Sequence, residues 1–307
     1  MIQAAPIINQ VLDHPLLEQK GIEFAVKRLD LIHPLVSGNK FYKLKYNLLQ
    51  AKAQDSKTVL TFGGAYSNHI QATAAACRLL GLDSIGLIRG EETLPLNPTL
   101  AFAQNHGMKL AYLSRGDYRK KKESQFLADL QNQFPNTFII PEGGTNEWAI
   151  QGTAEILGAE DSKFSHIIAP IGTGGTFAGL VQSLSPEQKA IGISSLKGNF
   201  IIDEVRQILQ ETGEFPNTTW TVFTNYHFGG YAKYTQALID FIWDFHRSFG
   251  IVLDPIYTGK MMYGLWELIQ QDYFPPGSKV LAVHTGGIQG NKGFFERTQI
   301  SLPLPSR

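Results

Sequence analysis

With 307 residues, of which 43% are hydrophobic, the chain can bury a large core and is long enough for one large or two ordinary domains. The 27 Lys and Arg residues balance the 27 Asp and Glu residues, and the longest basic run is RKKK at 119–122. This balance disfavours a surface for nucleic acid or for anionic membranes.

Neither a membrane anchor nor an export signal is predicted. No stretch reaches the roughly 20 apolar residues that span a bilayer, and the N-terminal MIQAAPIINQVLDHP lacks the basic start and apolar centre of a signal peptide. We therefore expect a cytoplasmic protein. The single Cys77 excludes an intrachain disulfide and is expected to pack in the core. The eight histidines lack H-E-x-x-H spacing, so no metal is predicted.

Short apolar runs alternate with longer segments of helical period along the chain, which is typical of βαβ units and a mostly parallel sheet. One group of four strands precedes the turn PEGGTN at 141–146, and a second group follows it. The sequence therefore predicts an α/β protein of two domains with a cleft between them. The predicted strands are 57–62, 84–88, 109–113, 137–140, 165–171, 190–194, 220–224 and 279–287, and the predicted helices are 42–53, 68–80, 98–105, 121–133, 178–184 and 233–249.

Three lysines lie close together where the first long helix is predicted to begin, in VSGNKFYKLKYNLLQAK at 36–52. They are Lys40, Lys43 and Lys45. The positive end of a helix dipole disfavours a cation at this place. A solvated basic face is one explanation, and a functional amine is the other.

The segment PIGTGGTFAGL at 170–180 follows a predicted strand and opens a helix. Its glycines allow close backbone approach to a ligand, and consecutive amides at a helix start bind anions. No lysine follows as in a P-loop, and Phe177 occupies the last glycine position of the dinucleotide motif. The pattern favours a small phosphate monoester, with a tight packing turn as the alternative.

Two further turns follow predicted strands, where open parallel sheets bind ligands. In TFGGAYSNHIQATAAAC at 61–77, Ser67 or Asn68 begins a helix, either as a cap or beside amides that hold a carboxylate. In VHTGGIQGNKGF at 283–294, Thr285 stands at the end of the strand.

Six segments together resemble the pyridoxal-phosphate enzymes of the tryptophan-synthase-β fold, and more narrowly the family of 1-aminocyclopropane-1-carboxylate (ACC) deaminase and D-cysteine desulfhydrase. The segments occur in the family's order and cover nearly the whole chain: 27–48, 63–82, 140–146, 171–180, 253–265 and 283–294. The resemblance implies two domains with parallel-rich sheets flanked by helices, the cofactor in the cleft and a homodimer. We expect the larger, cofactor-binding domain at 1–44 plus 151–307 and the smaller at 45–150.

The resemblance also assigns roles to individual residues. Lys40 would be linked covalently to pyridoxal 5'-phosphate, Asn68 would contact the pyridine face or its hydroxyl group, and Thr285 would face the ring nitrogen. Lys43 and Lys45 are expected to serve the helix surface. The cofactor-binding residues so implied are Lys40, Asn68, Gly172, Thr173, Gly174, Gly175, Thr176 and Thr285, the catalytic residues are Lys40, Ser67 and Tyr257, and the substrate-binding residues are Ser67, Asn68, His69 and Tyr257.

The implied reaction is β-elimination from D-cysteine or a related β-substituted D-alanine, giving a 2-oxo acid and ammonia. The main alternative is ACC deamination. Further alternatives are a racemase, a transferase, or a cofactor-binding protein without turnover. The second tyrosine expected in the family aligns with Phe294, which cannot donate a proton, although Tyr263 or Tyr66 could supply the hydroxyl group. His69 in SNH also resembles the desulfhydrase branch, so elimination is favoured over ring opening.

Overall fold

The computed structural model describes residues 2–213 and 219–305. The strands of this part of the chain are β1 (Asn9–Leu12), β2 (Glu23–Arg28), β3 (Thr58–Gly63), β4 (Asp83–Arg89), β5 (Met108–Leu113), β6 (Thr137–Ile140), β7 (His166–Ile171), β8 (Lys189–Ser194), β9 (Thr219–Phe223) and β10 (Lys279–His284). The helices are α1 (Pro15–Lys20), α2 (Asn39–Ala53), α3 (Asn68–Leu80), α4 (Pro98–Asn105), α5 (Arg115–Arg119), α6 (Ser124–Gln133), α7 (Glu147–Thr153), α8 (Gly175–Gln182), α9 (Phe200–Thr212), α10 (Gln236–Phe249), α11 (Thr258–Gln270) and α12 (Gly290–Thr298).

The large sheet has six strands in the order β1-β2-β10-β7-β8-β9. β1 runs antiparallel to β2, and the other pairs are parallel. β7 is buried at every residue, because alternate side chains enter apolar clusters on opposite faces of the sheet. Ile168 packs with residues of α10 and α11 on one face, and Ile167 packs with residues of α8 and α9 on the other.

The small sheet has four parallel strands in the order β5-β4-β3-β6. On its central strand, Val59 packs with α2 and α3, whereas Leu60 packs against α5 and α6. Cys77 is buried in the first of these clusters, and burial raises the pKa of its thiol to about 12. The predicted packing role of this cysteine is therefore confirmed.

The α/β class with parallel-rich sheets and flanking helices is confirmed, and all eight predicted strands are present. β1 and β2 are not among the predicted strands, and the sequence EFAVKR of β2 ends in two charged residues, a type that is ordinarily solvated. Both are instead buried in ion pairs, Lys27 with Asp161 at 2.5 Å and Arg28 with Asp30 at 2.7 Å. No helix in the described ranges is long and apolar enough to cross a membrane.

Helix α2 packs against both halves of the molecule. Its Tyr42 belongs to a cluster of the large sheet, and its Leu48 belongs to a cluster of the small sheet. The strands of each sheet fall on one side of the predicted domain division, but the boundary at 44/45 cuts through α2. The domain boundaries therefore stay a prediction, and α2 places its first turn between the two sheets.

Candidate active site

A cavity of about 480 Å³ lies where the carboxyl ends of strands from both sheets face each other. Its wall includes the segments after β3, β6, β7 and β10 together with the start of α2. Gly175 is buried in the first turn of α8, immediately behind the cavity wall. The other predicted site residues line the cavity: Lys40, Ser67, Asn68, His69, Gly172, Thr173, Gly174, Thr176, Tyr257 and Thr285.

Lys40 is held at the start of α2 by close backbone packing. Gly38 has a φ of 68°, and a Cβ atom there would lie 2.0 Å from the carbonyl oxygen of Thr285, so only glycine fits. The Lys40 amine donates to Oδ1 of Asn39 at 3.0 Å. Burial lowers the pKa of Lys40 to about 8, although the charge of Asp254 opposes this shift. A fraction of this amine is therefore neutral and nucleophilic near neutral pH.

The glycine turn from β7 into α8 has the close approach that the sequence predicts. A Cβ atom on Gly172 would lie 2.8 Å from the ring of Tyr257. Thr176 accepts a hydrogen bond from the Asn39 side chain at 2.7 Å, which ties the turn to α2. Backbone amides and hydroxyl groups are thus gathered at a helix start, an arrangement that binds phosphate.

Lys43 corrects the sequence interpretation, because it does not serve the helix surface. It lies three residues after Lys40 on the same face of α2 and is 1% exposed. Its amine donates to the carbonyl oxygen of Gly143 at 2.6 Å and to the hydroxyl oxygen of Thr145 at 2.8 Å. Lys45 is at the surface as expected, paired with Glu155.

The environment of Lys43 is suited to a bound anion. Burial, and then the charge of Lys40, hold the pKa of Lys43 well below its ordinary value. The ammonium group also lies 3.5 Å from the hydroxyl oxygen of Thr173 in the glycine turn. Among the described residues no carboxylate pairs with it. A phosphate group in the turn would supply the missing negative charge.

Ser67 and Asn68 stand at the start of α3, as predicted. Ser67 caps the helix, accepting from the amides of His69 at 3.2 Å and Ile70 at 3.3 Å. Asn68 accepts from the side chain of Gln289 at 3.1 Å, which links α3 to the turn after β10. The capping alternative is therefore realised for Ser67, and the same helix start still faces the cavity.

His69 is buried, and its hydrogen bonds select one tautomer. Nε2 lies 2.8 Å from the hydroxyl oxygen of Thr61, which itself donates to the carbonyl oxygen of Ile140 at 2.9 Å. Since that hydroxyl group has one hydrogen, Nε2 carries a proton and Nδ1 is left as an acceptor. Burial and the charges of two lysines hold the pKa of His69 well below its ordinary value. The ring is therefore neutral.

Three tyrosines of the described residues line the cavity, Tyr66, Tyr231 and Tyr257, and sequence reasoning did not identify Tyr231. Tyr231 lines the cavity beside Tyr257, with ring centroids 6.1 Å apart. Burial, and then the neighbouring Tyr231, raise the pKa of Tyr257 well above its ordinary value. Tyr231 therefore places a phenol beside Tyr257, whereas the sequence interpretation looked for a second tyrosine at the position of Phe294. Its surroundings, a turn of glycines and aromatics at 226–231, gave no signal of this role.

The sequence also offered Tyr263 and Tyr66 for that hydroxyl group, and the structure places only Tyr66 at the cavity. Phe294 is buried and packs its ring against Tyr234 at 4.9 Å. Tyr263 packs against Phe228 and does not line the cavity, whereas Tyr66 does line it.

A buried lysine holds the segment that carries Tyr231. Lys260, in the first turn of α11, donates to the carbonyl oxygens of His227 at 2.9 Å and Gly230 at 2.8 Å. Phe228 in this turn has a φ of 53°, a strained conformation for a residue with a side chain. Because Tyr257 directly precedes α11, Lys260 couples the positions of both tyrosines.

These features fit a phosphate monoester with an aldehyde that a lysine can attack. A glycine turn faces a buried lysine that lacks a carboxylate partner in the described ranges, and Lys40 presents a second amine of lowered pKa beside it. The chain matches the family model described as "Pyridoxal-phosphate dependent enzyme" over residues 8–286. It belongs to this family and is a pyridoxal-phosphate-dependent enzyme, which confirms the predicted cofactor.

Relatives within the family are named for two reactions. The bifunctional D-cysteine desulfhydrase/ACC deaminase of Arabidopsis thaliana is 30% identical over 88% of this chain and 73% of its own length. The D-cysteine desulfhydrase of Yersinia enterocolitica is 28% identical over 87% of each chain. A crystal structure described as an ACC deaminase homologue superposes with a TM-score of 0.82, at 28% identity, over 97% of this chain and 93% of that one. The predicted class, a lyase or deaminase, is thereby confirmed.

Proposed function

We propose that this enzyme catalyses β-elimination from D-cysteine or a related β-substituted D-alanine, releasing a 2-oxo acid and ammonia. The observation that carries the proposal is the state of Lys40, a buried amine whose pKa is lowered to about 8 at the junction of the glycine turn and α3. Such an amine can take a proton from Cα, the step that elimination requires.

The parts of the cavity have separate tasks in this proposal. The glycine turn and Lys43 would hold the cofactor phosphate, and Thr285 would face the ring nitrogen. The positive end of the α3 dipole faces the substrate carboxylate, with Ser67 and Asn68 beside it. The bound cofactor withdraws electrons from the bonds at Cα of the substrate. Lys40 takes up the Cα proton, and the substituent leaves from Cβ with its electron pair.

ACC deamination is the second candidate, and the pair of phenols favours it. ACC has no hydrogen on Cα, so ring opening needs a nucleophile or a proton donor other than the Cα base. Tyr231 and Tyr257 line the cavity together and could supply these groups. The absence of a hydroxyl group at Phe294 therefore does not count against ring opening.

Product analysis tests both candidates. We would incubate the cofactor-loaded protein with D-cysteine, β-chloro-D-alanine, their L enantiomers and ACC, and measure pyruvate, 2-oxobutanoate and ammonia. Pyruvate from the D compounds alone would support the proposal. Product from ACC alone would support ACC deamination instead of β-elimination. No product from any compound would contradict both candidate functions.

We also propose that the enzyme is a cytoplasmic homodimer. Its larger domain would be residues 1–44 plus 151–307, and its smaller domain would be residues 45–150. Family membership supports the dimer, and sedimentation of the purified protein tests it. A monomer at micromolar concentration would contradict this part while leaving the chemistry untouched.

A further inference from the structure

Two arginines line the mouth of the cavity and have no role in the reaction described so far. Arg89 is the last residue of β4, and Arg297 lies in α12. The Arg89 guanidinium lies 5.7 Å from the ring centroid of Tyr118, and that of Arg297 lies 5.2 Å from the ring centroid of Tyr66. An arginine placed over an aromatic face keeps the donors at its edge free for an oxyanion.

Both guanidinium groups border the short segment that leads into α3. A Cβ atom on Gly64 would lie 3.6 Å from Nη2 of Arg89, and Arg297 stacks on Tyr66 two residues later. Ser67 follows directly as the N-cap of α3. The arginines therefore lie next to the place proposed for the substrate carboxylate.

The acidic side chains at the cavity do not neutralise these cations. Within the described ranges, Glu142 is the one carboxylate in the cavity wall. It accepts a hydrogen bond from Tyr118 at 2.8 Å and pairs with Lys121 at 3.3 Å. Neither arginine has a carboxylate within ion-pair distance among the described residues. The cavity entrance therefore carries two arginines, Arg89 and Arg297, that have no carboxylate partner in the part of the chain that the structure describes.

The remaining charges of the cavity have other partners. Lys43 faces the site of the cofactor phosphate, Lys40 forms the covalent link, and the positive end of the α3 dipole faces the substrate carboxylate. A substrate with one carboxylate and a neutral side chain leaves both guanidinium groups without an anion. Clefts of one charge sign concentrate ligands of the opposite sign, and guanidinium groups bind sulfate, phosphate and carboxylate groups with paired hydrogen bonds.

We propose that Arg89 and Arg297 select amino acids whose β-substituent carries a second negative charge, with a sulfate or phosphate ester of D-serine as the matching chemistry. This inference rests on the proposed elimination and narrows its substrate class. For a sulfate ester, the Cα proton passes to Lys40 and the Cβ–O bond breaks with its electron pair on sulfate. With one water, the products are pyruvate, ammonia and sulfate.

The test compares two D-serine esters that differ in charge. We would measure kcat/KM of the cofactor-loaded enzyme for O-sulfo-D-serine and for neutral O-acetyl-D-serine, in the wild type and in Arg89→Gln, Arg297→Gln and the double variant. Each single change should lower kcat/KM for the sulfate ester about tenfold, equivalent to about 1.4 kcal/mol, and leave the acetate ester within about twofold. Because the variants are compared on both esters, differences in leaving-group reactivity cancel.

Arg206→Gln is the matched control, because Arg206 is an exposed arginine on α9, paired with Asp203 at 2.5 Å. It should change neither ester, and Arg89→Lys should retain part of the preference. An equal loss on both esters, or no loss on the sulfate ester, would overturn the inference.

Binding provides a readout that does not need turnover. Inorganic sulfate, which the enzyme does not consume, should raise the Tm of the loaded wild-type enzyme and should not raise that of the double variant. If the Tm responds in this way but no ester yields pyruvate, the anion site stands and the proposed elimination fails. If pyruvate forms from both esters equally in all variants, the elimination stands and the anion site fails.

Discussion

The two sheets meet at the cavity and contribute different kinds of groups to its wall, mainly backbone from one sheet and mainly side chains from the other. The large sheet contributes a glycine turn after β7 and Thr285 after β10, so that ligand groups would meet mainly backbone. The small sheet contributes side chains, His69 after β3, Arg89 at the end of β4 and Glu142 after β6. The first edge suits a constant group such as a cofactor phosphate, and the second suits a group that varies between substrates.

Helix α2 joins these two edges. Its first turn carries Lys40 and Lys43, which are both buried but differ in their contacts. Lys43 donates to acceptors that follow β6 and lies 3.5 Å from the hydroxyl oxygen of Thr173 in the glycine turn, whereas Lys40 donates to the side-chain oxygen of Asn39 within its own turn. Changes at the glycine turn and at Lys43 should therefore affect cofactor affinity, and changes at the side chains that face the substrate should affect substrate kinetics.

The largest expected effect on turnover is that of Lys40→Ala. This change removes the amine that lies between the edges of the two sheets. Turnover of D-cysteine should fall on the order of 10³-fold or more, because the covalent link and the Cα base are lost together. Lys45→Ala is the control and should keep wild-type turnover, since Lys45 pairs with Glu155 at the surface. Retention of a tenth of the activity in Lys40→Ala would contradict the assignment.

The second prediction concerns stability and pH in the cofactor-free protein. The pKa of Lys40 is lowered from 10.5 to about 8 on folding, so the unfolded chain binds more protons between these pH values. This amine therefore destabilises the fold below pH 8, and the penalty disappears as the pH approaches 10.5. Lys40→Met should be more stable than the wild type at pH 7.5 by on the order of 3 kcal/mol.

Urea unfolding of both proteins measures this difference. It should fall to about half its value by pH 9.5, because between about pH 8 and 10.5 the unfolded chain binds nearly one proton more than the folded chain, so each pH unit removes about 1.4 kcal/mol of the penalty. A difference that is independent of pH would mean that burial does not lower the pKa of Lys40.

The third prediction tests the large-sheet edge through Lys43→Met. The apparent Kd for pyridoxal phosphate should rise about 10- to 100-fold, because a hydrogen bond to a charged group contributes about 1.5–3 kcal/mol. The cofactor-free protein should not lose stability, since a buried cation is replaced by an apolar chain. Lys52→Met, an exposed position on the same helix, is the control for the titration. Unchanged affinity in Lys43→Met would separate Lys43 from the phosphate site.

The smallest effect is expected at the small-sheet edge, from Thr61→Val. Valine cannot accept from Nε2 of His69, so this buried N–H group loses its hydrogen-bond partner. We expect kcat/KM for D-cysteine to fall about three- to tenfold, the cost of an unmade hydrogen bond, with cofactor affinity unchanged. Nitrogen-15 NMR of the histidines should show a protonated Nε2 in the wild type and a shifted Nε2 signal in Thr61→Val, and Thr61→Ser should restore the wild-type signal. An unchanged NMR spectrum in Thr61→Val would contradict the tautomer assignment.

The difference between the edges also explains what the sequence could predict. The glycine turn at 172–175 is contiguous, and its backbone geometry follows from the residues themselves, so the phosphate site was predicted before any family was considered. Lys43 was misjudged because helical spacing places it near Lys40 but does not reveal which face is covered. Its burial depends on Gly143 and Thr145, about 100 residues further along the chain.

Tyr231 and Arg89 were missed for a related reason. Tyr231 follows an irregular turn whose conformation depends on Lys260 in α11, and no local pattern specifies this contact. Arg89 ends a strand like many solvated arginines, and only the assembly of both sheets places it at the cavity. Long-range packing, rather than local propensity, determines these side-chain positions.

Mass spectrometry after borohydride reduction tests the central claim most directly. The enzyme loaded with pyridoxal phosphate would be reduced, digested and mapped for the phosphopyridoxyl group. We expect the group on Lys40 and not on Lys43, three residues away. Modification of Lys43 or Lys260, or a loaded enzyme without a reducible link, would contradict the assignment of Lys40 and with it the division of tasks between the two lysines.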